Sequence, residues 1–291
     1  MRRKRGKNVM GKFLTKSRLH FNSFEIKVIA LVFMSLDHFG AYQTFTTDPA
    51  LNDFFRIVGR IAAPLFLFIV VESLRHTQSK IKFLVRLYIA GIIIEISNRV
   101  VASAFHSFEI GNILPTFFYV ALFVTAIEHI IEHKDHKSVF TSIACLSIPF
   151  FIIPINIILC ESGYVEIWNA ISIFVPSIFT VEYSIIFVLL GIIWYFINNK
   201  KINCIIFAIL SLLCFIVPAE IFFMAPRYFQ PIYFSVFTLF TDTQWYMCLA
   251  IPFMLLYDGT KGRGMKYFFY IYYPVHVYIL ITISHLRFAN F

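Results

Sequence analysis

Two ionisable residues, Asp37 and His38, stand side by side inside the apolar stretch "ALVFMSLDHFGA". Charged side chains are costly in hydrocarbon, and those found there usually mark substrate pathways or proton relays. A histidine can act as a general base near neutral pH, and a carboxylate can orient it or pair with an arginine. The two residues therefore predict a buried site of proton transfer.

Further ionisable residues recur in the apolar segments that follow. Arg60 lies in the second segment, and Glu95 and Arg99 lie one helical turn apart in the third. With a rise of about 1.5 Å per residue, Arg60 is expected at nearly the depth of His38, in the half of a membrane that is farther from the N-terminus. Consecutive residues point about 100° apart on a helix, so we expect Asp37 to pair with Arg60. Glu95 is then the candidate that orients His38.

A purely structural interpretation of these residues remains open. Each of the two predicted ion pairs can neutralise its own charge and fix helix packing without any chemistry. His276, in the last apolar segment, can equally be a hydrogen-bonded packing histidine.

The elements that must position these residues are predicted to be membrane-spanning helices. Of the 291 residues, 59% are hydrophobic and only 14% are charged, whereas soluble domains usually carry about a quarter charged residues. Apolar windows of about 20 residues recur along the chain, and each is long enough to cross a bilayer as a helix. The predicted fold class is all-α, a polytopic helical membrane protein with nine to ten transmembrane helices. The predicted spans are 24–44, 54–74, 83–104, 112–131, 138–159, 183–198, 202–223, 233–257 and 267–286, with segment 165–181 as a tenth span or as a re-entrant or interfacial piece.

Basic residues are distributed unevenly along the chain. Eight of the 25 lysines and arginines lie in the first 18 positions, and the loops "RHTQSKIKFLVR", "EHKDHK", "NNKK" and "DGTKGRGMK" are also basic, whereas each alternate loop holds at most one. The positive-inside rule therefore predicts a cytoplasmic N-terminus, nine spans and an outward C-terminus if 165–181 does not cross. We expect a basic cytoplasmic tail over 1–23, which contacts anionic lipid rather than nucleic acid, and a single transmembrane domain over 24–291.

The five cysteines give no sign of a metal centre. Their spacing contains no C-x-x-C pair and predicts neither a disulfide framework nor a zinc site. They are Cys145, Cys160, Cys204, Cys214 and Cys248. We expect buried thiols and no bound metal.

A second polar group lies at the predicted cytoplasmic end of the second and third spans. It comprises Glu72, Arg75, His76, Lys80, Lys82 and Arg86. Positive-inside charge accounts for its lysines and arginines, but the same group can dock the phosphates of an anionic nucleotide such as coenzyme A. No glycine-rich phosphate loop accompanies it.

Six stretches together form a pattern that resembles the TraX family of membrane proteins. They are "IKVIALVFMSLDHFGA", "FRIVGRIAAPLFLFIVVESLRHT", "FLVRLYIAGIIIEIS", "NILPTFFYVAL", "VEYSIIFVLLGIIWYF" and "YFFYIYYPVHVYILI". The residues that carry the resemblance are Asp37, His38, Arg56, Gly59, Arg60, Pro64, Glu72, His76, Thr77, Arg86, Leu87, Asn112, Thr116, Pro274 and His276. The chain departs from the pattern around Tyr183, because Glu182 and Ser184 stand where an aspartate and a glycine are expected.

The resemblance implies a membrane-embedded acetyltransferase of the bacterial cytoplasmic membrane, with residues 24–291 as its acyltransferase-like domain. Acetyl-CoA is the implied acyl donor. The implied acceptor is the amine of a pilin-like N-terminus or a hydroxyl of an envelope glycan, in the outer half of the membrane. His38 acts as general base, or carries the acetyl group itself.

The resemblance also assigns roles to individual residues. The predicted catalytic residues are His38, Asp37, Arg60 and Glu95. The predicted acceptor or oxyanion side comprises Asn112, Arg56, Arg99, Glu182 and Tyr183. The predicted cofactor-binding residues are Glu72, Arg75, His76, Lys82, Arg86 and His276.

Two other functions fit the same residues. A proton-coupled transporter would also place Asp, His, Glu and Arg side chains at mid-depth, although no internal repeat is visible. A non-catalytic subunit of a pilus or envelope assembly would tolerate changes at His38 and Arg60. Acceptor-dependent release of coenzyme A distinguishes the enzyme from both.

Overall fold

The computed structural model describes residues 20–105, 110–179, 181–216 and 243–288. Within these ranges every regular element is a helix, apart from an isolated backbone bridge between Phe21 and Tyr257. The predicted all-α class is therefore confirmed for this part of the chain. Most of the predicted basic tail, residues 1–19, lies outside the described ranges.

The described residues form eleven α-helices and one 3₁₀-helix. The α-helices in chain order are α1 (Ser23–Ala41), α2 (Pro49–Gly59), α3 (Ala62–Arg75), α4 (Lys80–Phe105), α5 (Leu114–Glu132), α6 (His136–Glu161), α7 (Val165–Phe174), α8 (Ser184–Phe196), α9 (Lys200–Ile216), α10 (Ile251–Leu256) and α11 (Lys266–Phe288). The 3₁₀-helix Gln244–Ala250 leads directly into α10.

Among the described residues, four helical segments are long and apolar enough to cross a membrane. They are Pro49–Arg75, Leu114–Glu132, His136–Glu161 and Tyr267–Arg287. The predicted spans 54–74, 112–131, 138–159 and 267–286 fall on these segments. Two other predicted spans, 202–223 and 233–257, extend into residues 217–242, which lie outside the described ranges.

The second predicted span consists of two helices rather than one. The first of these helices, α2, begins at Pro49, directly after Asp48, whose side chain caps the helix. A proline after an aspartate cap is a common helix start. α2 ends at Gly59 and α3 begins at Ala62. The break leaves Arg60 between the two helices, beside the end of α1.

Segment 165–181 contains one short helix. α7 has 10 residues, which corresponds to about 15 Å and to about half of the hydrocarbon core of a bilayer. A helix of this length does not cross a membrane alone, so the structure favours a re-entrant or interfacial piece over a tenth span.

The hydrophobic core lies along α3, which packs against α5 and α8. Leu65, Leu67 and Leu74 of α3 are buried, as are Phe187 and Trp194 of α8. In a bilayer such close packing, rather than removal from water, holds helices together. α1 packs against α2, α3 and α11, and α11 also contacts α4. These contacts bring the end of α1, the α2–α3 break and the middle of α11 to one place.

Candidate functional site

Asp37 lies near the end of α1 and binds two arginines of the α2–α3 region. Its Oδ2 accepts from Arg56 Nη1 at 2.7 Å, and its Oδ1 lies 3.2 Å from Arg60 Nη2. Arg60 is buried and donates through Nη1 to Gln244 Oε1 at 3.1 Å. The expected contact between Asp37 and Arg60 is present, and Arg56 joins it.

Two glycines allow α1 and α2 to approach closely enough for this ion cluster. A Cβ atom added to Gly59 would lie 2.2 Å from Asp37 Cβ, and one added to Gly40 would lie 2.5 Å from the carbonyl oxygen of Asn52. Side-chain carbons do not approach other atoms this closely, so both positions require glycine.

His38 is hydrogen-bonded to a second histidine. Its Nδ1 lies 2.8 Å from His276 Nε2, and the two rings stack with centroids 5.0 Å apart. His276 Nδ1 lies 2.7 Å from the carbonyl oxygen of Tyr272. The partner of His38 is thus His276 and not Glu95, whose carboxylate accepts from Arg99 Nε at 3.0 Å.

The carbonyl oxygen at the end of this chain fixes the tautomers of both histidines. A carbonyl oxygen only accepts, so His276 Nδ1 carries a proton, and Nε2 of the neutral ring is then an acceptor. His38 Nδ1 must therefore be the donor, which leaves a free lone pair on His38 Nε2. No described residue hydrogen-bonds that nitrogen. His38 can accept a proton at one defined atom.

A cavity of about 70 Å³ lies against His38. It is lined by the end of α1, the α2–α3 break, Asn98 of α4, the residues before α5 and α8, and the middle of α11. Its polar and aromatic lining consists of Asp37, His38, Tyr42, Phe66, Asn98, Glu182, Tyr183 and Tyr273. We call it the His38 cavity. Two of the predicted acceptor-side residues, Glu182 and Tyr183, line it.

Glu182 and Tyr183 reach the His38 cavity because the chain turns sharply before α8. Tyr183 and Ser184 have φ angles of 60° and 58°, in the left-handed region that residues other than glycine rarely adopt. Thr116 Oγ1 donates to the Glu182 carbonyl oxygen at 2.6 Å and holds the turn in place. Such backbone strain is concentrated at functional sites in proteins.

A second cavity, of about 1110 Å³, lies toward the opposite end of α1. Its titratable lining includes Lys27, Glu72, His76, Lys82, Arg86 and Lys261. Four predicted cofactor-binding residues, Glu72, His76, Lys82 and Arg86, are among them. We call it the basic cavity. Phe66, Ile113 and Tyr273 line both cavities and form a shared wall.

The loop before α11 carries Lys261 to the rim of the basic cavity. Asp258 Oδ1 accepts from the N–H and the hydroxyl of Thr260, each at 2.7 Å, and these hydrogen bonds hold the pKa of Asp258 below its ordinary value. Gly262 has a φ of 64°, and a Cβ atom there would lie 2.3 Å from Asn22 Oδ1. The loop is therefore fixed against the start of α1.

Arg75 is engaged outside the basic cavity. Its guanidinium group pairs with Glu72 and donates to the carbonyl oxygens of Trp194, Tyr195 and Ile197. The last carbonyl groups of a helix have no partner within that helix. Arg75 therefore caps the C-terminal end of α8, and this position does not fit the predicted contact with a cofactor.

Arg99 and Asn112 also make contacts away from His38. Arg99 donates to Ser172 Oγ of α7 at 2.9 Å. Asn112 donates to the carbonyl oxygen of Gly91 at 3.0 Å and accepts from the N–H of Leu114, so its amide caps the start of α5. Neither residue lines the His38 cavity.

Several residues of the two cavities and the ion cluster are absent from the predicted set, and four of them are Lys27, Lys261, Tyr42 and Gln244. Lys27 and Lys261 line the basic cavity, and their place at predicted cytoplasmic ends is a signal that could have indicated them. Tyr42 lies one helical turn after His38, and this spacing could also have indicated it. Gln244 reaches the site only through a contact between distant segments. No group of three or more His, Cys, Asp or Glu side chains in the described ranges is arranged to hold a metal ion.

The helices and the site define a helical membrane protein with a buried polar centre next to a basic cavity. The chain belongs to the TraX family, because the family model described as "TraX protein" matches residues 23–284. The predicted resemblance is confirmed. The chain is also 27% identical over 276 residues to the "Probable fimbrial assembly protein FimC, serogroup H1" of Dichelobacter nodosus, with 91% of this chain and 96% of that relative covered. No solved structure matches the chain significantly.

Proposed function

We propose that this chain is a membrane acetyltransferase that moves an acetyl group from acetyl-CoA to an amine or hydroxyl, with His38 Nε2 as the general base. The observation that carries the proposal is the hydrogen-bond chain from the Tyr272 carbonyl oxygen through His276 to His38. A general base needs a free lone pair at a defined atom and a partner that orients the ring. His276 is that partner, and it continues to accept from Nδ1 after Nε2 is protonated.

The basic cavity supports acetyl-CoA as the donor. Three lysines and Arg86 outnumber Glu72 in its lining, which suits the phosphates of a coenzyme A nucleotide. His38 lies 11 residues beyond Lys27 in α1, or about 17 Å along the helix axis. An extended pantetheine arm bridges this gap, with its thioester at the shared wall.

The reaction follows from these positions. His38 takes a proton from the attacking amine or hydroxyl as the nucleophile adds to the thioester carbon. The carbon–sulfur bond then breaks, and the departing thiolate takes the proton from His38. In the alternative route the acetyl group is transferred to His38 Nε2, so the lone pair of the same nitrogen must again be free.

The arrangement fits nine spans with a cytoplasmic N-terminus in a bacterial cytoplasmic membrane. The basic cavity is lined by the start of α1, the end of α3, the start of α4 and the loop before α11. The positive-inside rule assigns all four to the cytoplasmic side. Coenzyme A then enters from the cytoplasm, and His38 lies in the outer half of the membrane.

The proposed acceptor is a pilin-like N-terminal amine or a hydroxyl of an envelope glycan. The relative from Dichelobacter nodosus carries the name of a probable fimbrial assembly protein, which favours a pilus-related acceptor. An acceptor in the outer half of the membrane reaches the His38 cavity without crossing the basic cavity.

Transfer of an isotope-labelled acetyl group tests the proposal. Purified protein in nanodiscs receives labelled acetyl-CoA with a panel of peptide amines and sugars, and products are identified by mass spectrometry. We expect labelled product with the wild type and a loss of about 10²–10⁴-fold with His38→Ala. His285→Ala, at an exposed position of α11, is the matched control and keeps the wild-type rate.

Two results contradict the proposal. Normal transfer by a folded His38→Ala variant excludes His38 as the base. A folded wild type that binds no coenzyme A excludes the acetyltransferase and favours a proton-coupled transporter built on the same polar centre.

A further inference from the structure

The two cavities differ in the charge of their linings. Basic side chains outnumber Glu72 around the basic cavity. Among the described residues that line the His38 cavity there are two carboxylates, Asp37 and Glu182, and no lysine or arginine. The two arginines that bind Asp37 are not part of that lining. The basic cavity therefore suits an anion, and the His38 cavity suits a cation.

Of the two carboxylates, Glu182 is the one that can still bind a cation. Asp37 is ion-paired with two guanidinium groups, so its charge is neutralised even though its Oδ1 accepts no hydrogen bond. Glu182 Oε2 is buried and has no hydrogen-bond partner among the described residues. A buried anion without a partner is costly, so a bound cation or a proton must compensate the charge of Glu182. Gly111 packs directly against the carboxylate, since a Cβ atom there would lie 3.0 Å from Oε2.

Three tyrosines line the cavity that contains the Glu182 carboxylate. Tyr42, Tyr183 and Tyr273 all line the His38 cavity. The faces of aromatic rings attract ammonium groups, and rings grouped around a site are a known way to bind organic cations. The cavity volume of about 70 Å³ exceeds the space that a single water molecule needs. It suits a primary ammonium group and the carbon attached to it.

We propose that Glu182 and these three tyrosines form the binding site for the protonated primary amine of the acceptor. The inference rests on the proposed acetyl transfer and narrows it, because an amine acceptor carries the charge that Glu182 binds and a hydroxyl acceptor does not. Glu182 thereby becomes the residue that selects amines.

The site also accounts for the two protons that an ammonium group must lose. One passes to the Glu182 carboxylate, which leaves a neutral amine. The nitrogen then bonds to the thioester carbon while its second proton passes to His38 Nε2, and the carbon–sulfur bond breaks. The departing thiolate takes that proton from His38, and Glu182 releases the first proton to solvent.

Kinetics with phenethylamine and 2-phenylethanol, which differ only in the amine and hydroxyl groups, test the assignment. We expect Glu182→Gln to lower kcat/KM for phenethylamine by about 10- to 100-fold. The Kd for acetyl-CoA stays unchanged, because Glu182 does not line the basic cavity. Glu182→Asp, which keeps the charge, recovers part of the loss. Glu166→Gln, at an exposed position of α7, is the matched control and keeps wild-type kinetics. Wild-type kcat/KM in Glu182→Gln overturns the inference.

Direct binding separates failure of this site from failure of acetyl transfer. Titration calorimetry without acetyl-CoA compares the two probes on the wild type and on Glu182→Gln. We expect the wild type to bind phenethylamine about 10-fold more tightly than 2-phenylethanol, and the variant to lose this preference. This result supports the cation site even where no acetyl product forms with any acceptor. Equal binding of both probes by the wild type overturns the inference and requires no variant to fold.

Discussion

At the residue scale, the state of one imidazole ring depends on another. His276 is buried, and its Nε2 accepts the proton of His38 Nδ1 across 2.8 Å. Without that acceptor the His38 ring can flip or change tautomer, and Nε2 is then free in only part of the molecules. His276 is therefore a positioning residue, whose effect on the reaction passes through His38.

We expect His276→Ala to lower kcat by about 10- to 100-fold, as removal of an orienting partner typically does. The KM for acetyl-CoA stays unchanged, and the pH profile of kcat shifts because the environment of His38 changes. His276→Gln recovers part of kcat, since its amide oxygen can accept from Nδ1. Steady-state kinetics across pH measure this, with His285→Ala as the control. An unchanged pH profile in His276→Ala contradicts the positioning role.

At this scale the sequence predicts residue types and depth better than it predicts partners. The contact of Asp37 with Arg60 can be predicted from the sequence, because the helix rise places both residues at one depth and a short loop joins their segments. His276 lies 238 residues from His38, and no local spacing indicates that they meet. Glu95 does not contact His38. It forms an ion pair with Arg99, one turn away on its own helix.

At the element scale, the site depends on how closely α1 and α2 pack. We expect Gly59→Ala to lower the thermal unfolding midpoint in detergent, because its new Cβ would lie 2.2 Å from Asp37 Cβ. Such overpacking costs about 1–3 kcal/mol or more in the free energy of unfolding. Gly264→Ala is the matched control, since a Cβ there has no atom within 4 Å. Equal unfolding midpoints of the two variants contradict the close approach.

Two basic residues near the predicted cytoplasmic end are expected to have different roles. Lys82 lines the basic cavity, so Lys82→Ala should raise the Kd for acetyl-CoA about tenfold, and added salt should reduce the difference from the wild type. Arg75 caps α8, so Arg75→Ala should lower the unfolding midpoint and leave that Kd nearly unchanged. Calorimetry and thermal unfolding of both variants test the distinction. Equal loss of acetyl-CoA affinity in both variants contradicts it.

The sequence predicts the positions of the helices better than their interruptions. Hydropathy locates span 54–74, but it does not indicate the break after Gly59, which has no proline at that point. The break arises where Gly59 packs on the backbone of Asp37, a contact between helices that a single-segment pattern cannot contain. The polar residues of 165–181, by contrast, do indicate that this segment differs from the full spans.

At the scale of the whole molecule, the proposed reaction requires the two cavities to lie toward opposite sides of the membrane. Single cysteines at Thr47→Cys and Lys134→Cys, in a variant that lacks the five free native cysteines, test the sidedness. Both positions are exposed. We expect a membrane-impermeant maleimide to label position 47 in intact cells and position 134 only after permeabilisation, because the positive-inside rule places the basic loop inside. The reverse pattern contradicts a cytoplasmic basic cavity.

The grouping of charge at this scale could be predicted in part. Loop lysines and arginines indicate one basic end, and the basic cavity lies there. The sequence does not indicate that the His38 cavity should bind a cation, because this depends on whether each guanidinium group faces the cavity. Arg56 and Arg60 are close to Asp37 in the sequence pattern, but only their three-dimensional placement removes them from the cavity lining.

Thiol release from acetyl-CoA tests whether His38 is the base in the proposed acetyl transfer. Wild type and His38→Ala are purified in nanodiscs, and acetyl-CoA binding is measured in the same samples. We expect both proteins to bind acetyl-CoA, and only the wild type to release thiol at an appreciable rate when an amine is added. Amine-dependent thiol release by folded His38→Ala at the wild-type rate would contradict this role of His38.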